Sequence, residues 1–190
     1  IKNNLSLPMV LLIMFFSYLL GGFIQGITWK YFLLLCNIFS VDYSYFGNMI
    51  LQKDALLAQT EIDRDPAKLD FEDKLVLVLR DKIGIPKNIG WLDARLVAYL
   101  KEHQSQAVIT AETYQANHIM YRNLSFGFLV VPTILLNNLI RSRSFDFEIL
   151  SLIFLCILIS YVTFSRSLSF KKWHNRELLL GFYFSACKRI

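Results

Sequence analysis

The sequence predicts an all-α, polytopic membrane protein with four transmembrane helices and a helical cytoplasmic domain between the second and the third. Two observations carry this prediction. Hydrophobic residues make up 55% of the 190 residues and charged residues only 18%, with a mean hydropathy of +0.42, which is unusual for a soluble domain. The apolar residues are also concentrated in two regions towards the ends of the chain, and residues 52–123 lie between these regions as a polar block.

The N-terminal membrane region, residues 1–51, contains two apolar segments. Leu7 to Ile24 carries no charge and approaches the roughly 20 apolar residues that a membrane crossing requires. It is too long for the apolar part of a signal peptide, and more apolar sequence follows it, so we expect a transmembrane helix rather than a cleaved leader.

The second segment, Ile27 to Leu51, is interrupted by Lys30, Asn37 and Asp42. An aspartate near the middle of a span costs about 2.5–3.5 kcal/mol on insertion scales. Two interpretations remain open. Either the segment spans the membrane and protein or water shelters Asp42, or it is a helix in the interface with Asp42 at headgroup depth.

Small residues near the end of the first span favour close packing of helices. Gly21, Gly22 and Gly26 allow two backbones to approach, and Ser17 can form a hydrogen bond across a helix pair. We therefore expect a homo-oligomer. A chain of this size cannot enclose a conduction path alone, so a pore would require several copies.

The polar block, residues 52–123, is predicted to be a water-facing helical domain. It contains ten Lys and Arg against eleven Asp and Glu. Asp70 is placed to cap a helix that starts at Phe71 and ends at Gly84-Ile85-Pro86. From Trp91 to Arg122 the apolar residues keep helical spacing without Gly or Pro, which predicts one long helix running into the third span.

Residues 124–165 read as a transmembrane helical hairpin. Leu124 to Ile140 and Phe147 to Phe164 are both apolar, and the charged residues around them cluster in the short connection. Pro132, inside the third span, removes a backbone hydrogen bond and predicts a kink that can act as a hinge.

Residues 166–190 form a basic juxtamembrane tail that predicts the orientation of the chain. Six Lys and Arg stand there against Glu177 alone, and the rest of the chain is close to balanced. The positive-inside rule places this tail in the cytoplasm, and because a hairpin returns the chain to the same side, the central domain is predicted to be cytoplasmic as well.

The tail also interleaves cations with aromatic residues, a composition typical of segments at anionic lipid headgroups. We expect it to contact the lipid bilayer rather than nucleic acid. The residues predicted to do so are Arg166, Lys171, Lys172, Trp173 and Arg176.

Polar residues near the predicted spans are the candidates for a pore or a gate: Asp42, His118, Arg122 and Pro132. In the alternative interpretation Arg122 extends to the headgroups and His118 forms an ordinary hydrogen bond. No H-E-x-x-H, Gly-rich phosphate loop, G-x-S-x-G or C-x-x-C motif is present, so we expect neither metal nor cofactor. A lipid-modifying enzyme that uses Asp42 or His118 is the remaining enzymatic alternative.

The tract Ser17-Tyr18-Leu19-Leu20-Gly21, the charged helical middle and the late hairpin resemble small multi-spanning bacterial membrane proteins found beside antiviral-defence and CRISPR genes. The resemblance implies an oligomeric, channel-like effector in the bacterial inner membrane that perturbs the envelope when a soluble protein partner senses infection. The residues themselves also allow a second class, a membrane anchor or scaffold that recruits a soluble enzyme.

Overall fold

The computed structural model describes residues 7–43, 45–59, 69–86, 90–142 and 147–187, and within these ranges the chain is helical, with no β-strand. This confirms the predicted all-α class. The six helices of the described residues are α1 Leu7–Ile38, α2 Tyr45–Gln59, α3 Phe71–Lys82, α4 Gly90–Glu102, α5 Ala107–Ser142 and α6 Phe147–Cys187.

Three of the described helices are long and apolar enough to cross a membrane. The candidate spans are Leu19–Ile38 in α1, Ala107–Arg141 in α5 and Phe147–Cys187 in α6. The second and third contain the two arms of the predicted hairpin, whereas Leu19–Ile38 shares only residues 19–24 with the predicted first span, Leu7 to Ile24. The second predicted span, Ile27 to Leu51, does not appear as a span of its own. Residues 27–38 lie in the candidate span of α1, and α2, which begins at Tyr45, has only 15 residues and carries Lys53 and Asp54.

The segment Ile27 to Leu51 is not one continuous helix. The helix α1 passes through Gly21, Gly22 and Gly26 without a break and ends at Ile38. Its end is a Schellman motif, in which Ser40 has φ of 52°. The Val41 amide donates to the Cys36 carbonyl oxygen at 2.8 Å, and the Ser40 amide donates to the Asn37 carbonyl oxygen at 3.2 Å.

Asp42 therefore lies in the connection between α1 and α2, where it is exposed. That protein or water shelters this aspartate within the membrane stays a prediction. The residue follows a helix end instead of interrupting a helix.

The predicted long helix from Trp91 to Arg122 is also wrong. The helix α4 ends at Glu102 and α5 begins at Ala107. Gln104 has φ of 50°, the Ser105 amide donates to the Leu100 carbonyl oxygen at 3.0 Å, and the Ser105 hydroxyl accepts from the Ala107 amide at 3.4 Å. This capping ends one helix and starts the next. From Ala107 onward α5 is continuous to Ser142, through Pro132.

The first short helix of the polar block, α3, begins and ends close to the predicted residues. Asp70 is its N-cap, in an extended backbone conformation, although its side chain forms no capping hydrogen bond. The helix ends at Lys82, and Gly84 has φ of +68°, which a glycine adopts without strain.

The chain forms two compact units. The first unit consists of residues 1–41 and 119–167, and the second of residues 42–118 and 168–190. Both α5 and α6 contribute residues to each unit, so the basic C-terminal residues belong to the same unit as the polar block.

The second unit has its own hydrophobic core, to which α2, α3, α4, α5 and α6 all contribute. In α4, for example, Leu92, Leu96 and Leu100 are each at most 3% exposed. The buried core residues are Ile50, Leu57, Leu75, Val76, Leu79, Leu92, Leu96, Leu100, Val108, Ala111, Leu178, Leu179, Phe182 and Ala186. Because this core excludes water, the second unit can be stabilised by the hydrophobic effect.

A glycine permits the closest helix contact in this core. A Cβ atom at Gly181 in α6 would collide with the Cβ of Ala107 at the start of α5 and would also touch the Leu100 side chain. The two helices can approach this closely only because residue 181 has no side chain.

We expect Gly181→Ala to lower the free energy of unfolding of the second unit by about 1–3 kcal/mol, since it overpacks the contact with Ala107. The matched control is Gly127→Ala, because a Cβ at Gly127 meets nothing within 4 Å. Thermal unfolding in detergent, followed by tryptophan fluorescence, measures both. A Gly181→Ala protein as stable as the wild type would contradict the close approach.

Candidate functional site: a polar cluster among apolar helices

The first unit contains polar side chains that its apolar helices bury. Hydroxyl groups without a hydrogen-bond partner are costly in an apolar environment, by several kcal/mol in hydrocarbon. Buried polar residues in such helices are therefore expected to form hydrogen bonds with one another. The buried ones are Thr28 and Tyr31 in α1, Arg122 and Ser125 in α5, and Ser160 in α6, and the half-buried Asn123 of α5 joins them.

Three hydroxyl groups, one from each helix, form a buried hydrogen-bonded triad. The Ser125 hydroxyl donates to the Ser160 carbonyl oxygen at 2.9 Å, and the Ser160 hydroxyl donates to the Ser125 carbonyl oxygen at 2.8 Å. The Tyr31 Oη lies 3.0 Å from Ser125 Oγ and 3.3 Å from Ser160 Oγ. Since both serine protons are used on carbonyl oxygens, Tyr31 is the donor to the serine oxygens.

A second polar contact joins α1 to α5. Thr28 is fully buried, and its Oγ1 lies 2.7 Å from Asn123 Oδ1 and 3.1 Å from the Gln25 carbonyl oxygen. The single hydroxyl proton is donated to one or both of these acceptors. This contact and the triad fix the register of α1 against α5 at two points.

Arg122 is the charged residue of this cluster. Only 6% of the residue is exposed, and its guanidinium carbon lies 5.3 Å from the centre of the Trp29 ring. A desolvated cation–π contact contributes about 2 kcal/mol. The Nε atom is buried and has no hydrogen-bond partner. The only carboxylate described in this unit, Glu148, lies at the start of α6, at the connection between the two arms of the hairpin.

The other predicted pore or gating residues lie in different surroundings. His118, one turn before Arg122 on α5, is fully buried and belongs to the second unit, as does the exposed Asp42. Pro132 is buried within the continuous helix α5. Of the four candidates, only Arg122 lies in the polar cluster.

The predicted packing glycines make no close contact with the other residues that the structure describes. Gly21, Gly22 and Gly26 are exposed, and a Cβ atom at each would meet nothing within 4 Å. Ser17 is in α1, but its side chain lies outside the described residues. This surface of α1 is open to lipid or to another copy.

The predicted lipid-contact residues divide into two groups. Lys171 is 8% exposed, and its Nζ lies 3.1 Å from Asp93 Oδ2, so its charge is already paired inside the second unit. Arg166, Trp173 and Arg176 are exposed and Lys172 is half-buried. Their contact with lipid headgroups stays a prediction.

Sequence reasoning singled out Arg122 but missed the residues around it. The missed residues are Thr28, Trp29, Tyr31, Asn123, Ser125 and Ser160. A signal was present, because Thr28 and Tyr31, like Arg122 and Ser125, are polar residues three apart on one face of an apolar helix. Among the described residues, no three His, Cys, Asp or Glu side chains come together in a way that could hold a metal ion.

We expect Tyr31→Phe to destabilise the first unit by about 0.6–1.7 kcal/mol, from the average to the largest value measured for hydrogen bonds between transmembrane helices. The control is Tyr161→Phe, which removes the same hydroxyl from a tyrosine that is 59% exposed. Unfolding in mixed detergent micelles measures both variants. If the two variants were equally stable, the triad would not stabilise the packing of α1 against α5 and α6.

Comparison with models of known protein families, with curated proteins and with solved structures finds no match for this chain.

Proposed function

We propose that this protein is a homo-oligomeric effector of the bacterial inner membrane that permeabilises the bilayer and acts in antiviral defence, controlled through its second unit. The observation that carries the proposal is the buried Arg122, held by Trp29 next to the hydroxyl triad, in a unit made of three apolar helices. Ionisable residues inside membrane segments are rare and typically mark ion or substrate pathways.

The surroundings of Arg122 support a functional role over a structural one. A guanidinium group has five N–H donors, and the Nε donor here is buried without a hydrogen-bond partner. An arginine kept only for stability would be expected to use its donors, since leaving a buried charged donor unsatisfied costs stability. Arg122 is thus poised to bind an anionic or carbonyl group that arrives in another state of the protein.

The exposed surface of α1 supports assembly into oligomers. Leu19, Leu20, Phe23 and Ile24 are between 44% and 70% exposed, and a Cβ atom added at Gly21 or Gly22 between them would meet no described atom within 4 Å. Small residues on such a surface allow the close approach of a second helix in a bilayer. Several copies together would supply enough helices to enclose a pore, which the three spans of one chain cannot do.

The topology of the proposal has three crossings, by α1, α5 and α6, with the second unit and the C-terminus in the cytoplasm. The charge surplus after Ser165 supports this orientation. The connection between α5 and α6 then lies on the opposite side.

The second candidate function is a membrane anchor or scaffold that recruits a soluble enzyme. It is favoured by large apolar side chains on the surface of the second unit, where Trp91 is 66% and Ile109 67% exposed. Exposed groups of this kind are frequent at docking sites. A scaffold needs such a surface but neither a buried arginine nor an ion flux.

We expect purified wild-type protein to release a small dye from liposomes of phosphatidylethanolamine and phosphatidylglycerol, and Arg122→Leu to reduce the release rate about tenfold or more, the effect of losing roughly 1.4 kcal/mol. The matched control is Arg141→Leu, which removes an exposed arginine near the other end of the same helix.

The absence of any dye release from the wild type, in the presence of cell lysate as well, would contradict permeabilisation and favour the anchor. Equal release from the wild type and from Arg122→Leu would keep the pore but remove Arg122 from it.

The topology predicts opposite labelling of two single-cysteine variants in a background without Cys36, Cys156 and Cys187. Cysteine at Glu102, which is exposed on α4, should react with a membrane-impermeant maleimide only after the cells are permeabilised. Cysteine at Glu148, exposed at the start of α6, should react in intact cells. The reverse pattern would overturn the orientation.

A further inference from the structure

A pocket of about 310 Å³ in the second unit is lined by residues of α5 and α6. The helix α6 contributes Trp173, Arg176, Glu177 and Leu180, and α5 contributes Tyr114. The four residues of α6 are three, one and three positions apart, which keeps them on one stripe of the helix. The volume is at the lower end of the range for small-molecule sites, so the pocket suits a ligand the size of a lipid headgroup.

The two charged side chains of this pocket are available to a ligand. Neither Arg176 nor Glu177 forms an ion pair or a hydrogen bond with any residue that the structure describes. Successive residues of a helix do not face each other, so the two do not pair with one another. The residues three and four positions from Arg176 include no acid, and those from Glu177 include no lysine or arginine. One pocket therefore presents both a cation and an anion.

Aromatic rings form a further part of the pocket. The ring centres of Tyr114 and Trp173 are 5.7 Å apart, and Phe170 packs edge to face on Trp173, with the centres 5.1 Å apart and the planes at 89°. These contacts restrain the indole ring. Trp173 is nevertheless 42% exposed, so part of its surface can be reached. The faces of tryptophan and tyrosine rings attract ammonium groups.

We propose that this pocket binds a zwitterionic phosphate ester of the phosphoethanolamine type, in which two carbon atoms separate the phosphate from an ammonium group. The phosphate oxygens accept hydrogen bonds from Arg176. The ammonium group binds the Glu177 carboxylate and the rings of Tyr114 and Trp173. Lys172, one turn before Arg176 on α6, adds a second positive charge on the phosphate side. This binding requires neither an oligomer nor a pore.

A ligand with only one of the two charges fits the pocket less well. The headgroup of phosphatidylglycerol has a phosphate but no cation, so it leaves Glu177 without a partner and brings a like charge towards it. A simple amine leaves Arg176 without a partner in the same way. A zwitterion satisfies both side chains at once, and the same chemistry occurs in the membrane lipid phosphatidylethanolamine and in water-soluble glycerophosphoethanolamine.

The first test compares lipid binding to the purified protein in detergent by native mass spectrometry, with phosphatidylethanolamine and phosphatidylglycerol each as the added lipid. The measured quantity is the ratio of the two affinities, because the basic tail attracts any anionic lipid. Glu177→Gln should lower this ratio about fivefold, the upper effect of one ion pair at an exposed site. The matched control is Glu102→Gln, an exposed glutamate of α4, and it should leave the ratio unchanged.

Arg176→Gln should weaken the binding of phosphatidylethanolamine by a similar factor, and Arg141→Gln, on an exposed arginine of α5, should not. A ratio that is the same in Glu177→Gln and in the wild type would overturn the proposal. So would an Arg176→Gln protein that binds phosphatidylethanolamine as tightly as the Arg141→Gln control.

The second test identifies the source of the ligand and uses the wild-type protein alone. Glycerophosphoethanolamine is titrated against the bound phosphatidylethanolamine, with glycerophosphoglycerol as the control. Displacement by the first compound and not by the second supports the zwitterion and identifies a soluble ligand. Retention of the lipid against both, together with the fivefold effect of Glu177→Gln, supports the zwitterion as a lipid headgroup. Equal displacement by both compounds overturns the proposal, because the ammonium group then contributes nothing.

Discussion

The reciprocal hydrogen bonds between Ser125 and Ser160 fix the two arms of the helical hairpin against each other, and Tyr31 joins α1 to the same point. Helices in lipid gain little from burying apolar side chains against each other, because lipid tails are equally apolar. The apolar side chains of this unit are indeed largely exposed, for example Phe23 at 70% and Phe154 at 69%. Its helix register therefore depends on a few polar contacts.

The second unit is held together by different physical forces. Its core is apolar. Besides the contacts of the buried side chains of Lys171 with Asp93 and of His174 with the Ala111 carbonyl oxygen, it has ion pairs nearer the surface. Lys53 Nζ lies 2.8 Å from Glu72 Oε2 and 3.1 Å from Asp73 Oδ1, and its hydrogen bond to Glu72, followed by that to Asp73, raises the pKa of Lys53 above its ordinary value. Arg80 binds the Asp54 carboxylate and carbonyl oxygen, which ties α3 to α2. Exposed pairs of this kind contribute little individually, so the hydrophobic core dominates.

The sequence predicted the parts of the fold that depend on composition and on the spacing of apolar residues. The prediction failed where a helix ends without glycine or proline. The apolar helices and the two arms of the hairpin follow from length and hydropathy. The ends of α1 and α4 do not, because Ser40 and Gln104 adopt the left-handed conformation that glycine usually marks in a sequence. The candidate site was likewise predicted only in part. Arg122 was conspicuous as a charge beside an apolar segment, but Trp29 is far from it along the chain, and only tertiary packing brings the two together.

The contact between Arg122 and Trp29 has an electrical consequence. A potential of 100 mV does about 2.3 kcal/mol of work on a unit charge that crosses the whole membrane, and a corresponding fraction on a charge held part of the way. A desolvated cation–π contact contributes a similar energy, about 2 kcal/mol. In the proposed topology, the electric field of an energised membrane and the indole ring would both act on this guanidinium group, the field in proportion to the depth at which the group is held. Loss of the membrane potential would change the balance between them.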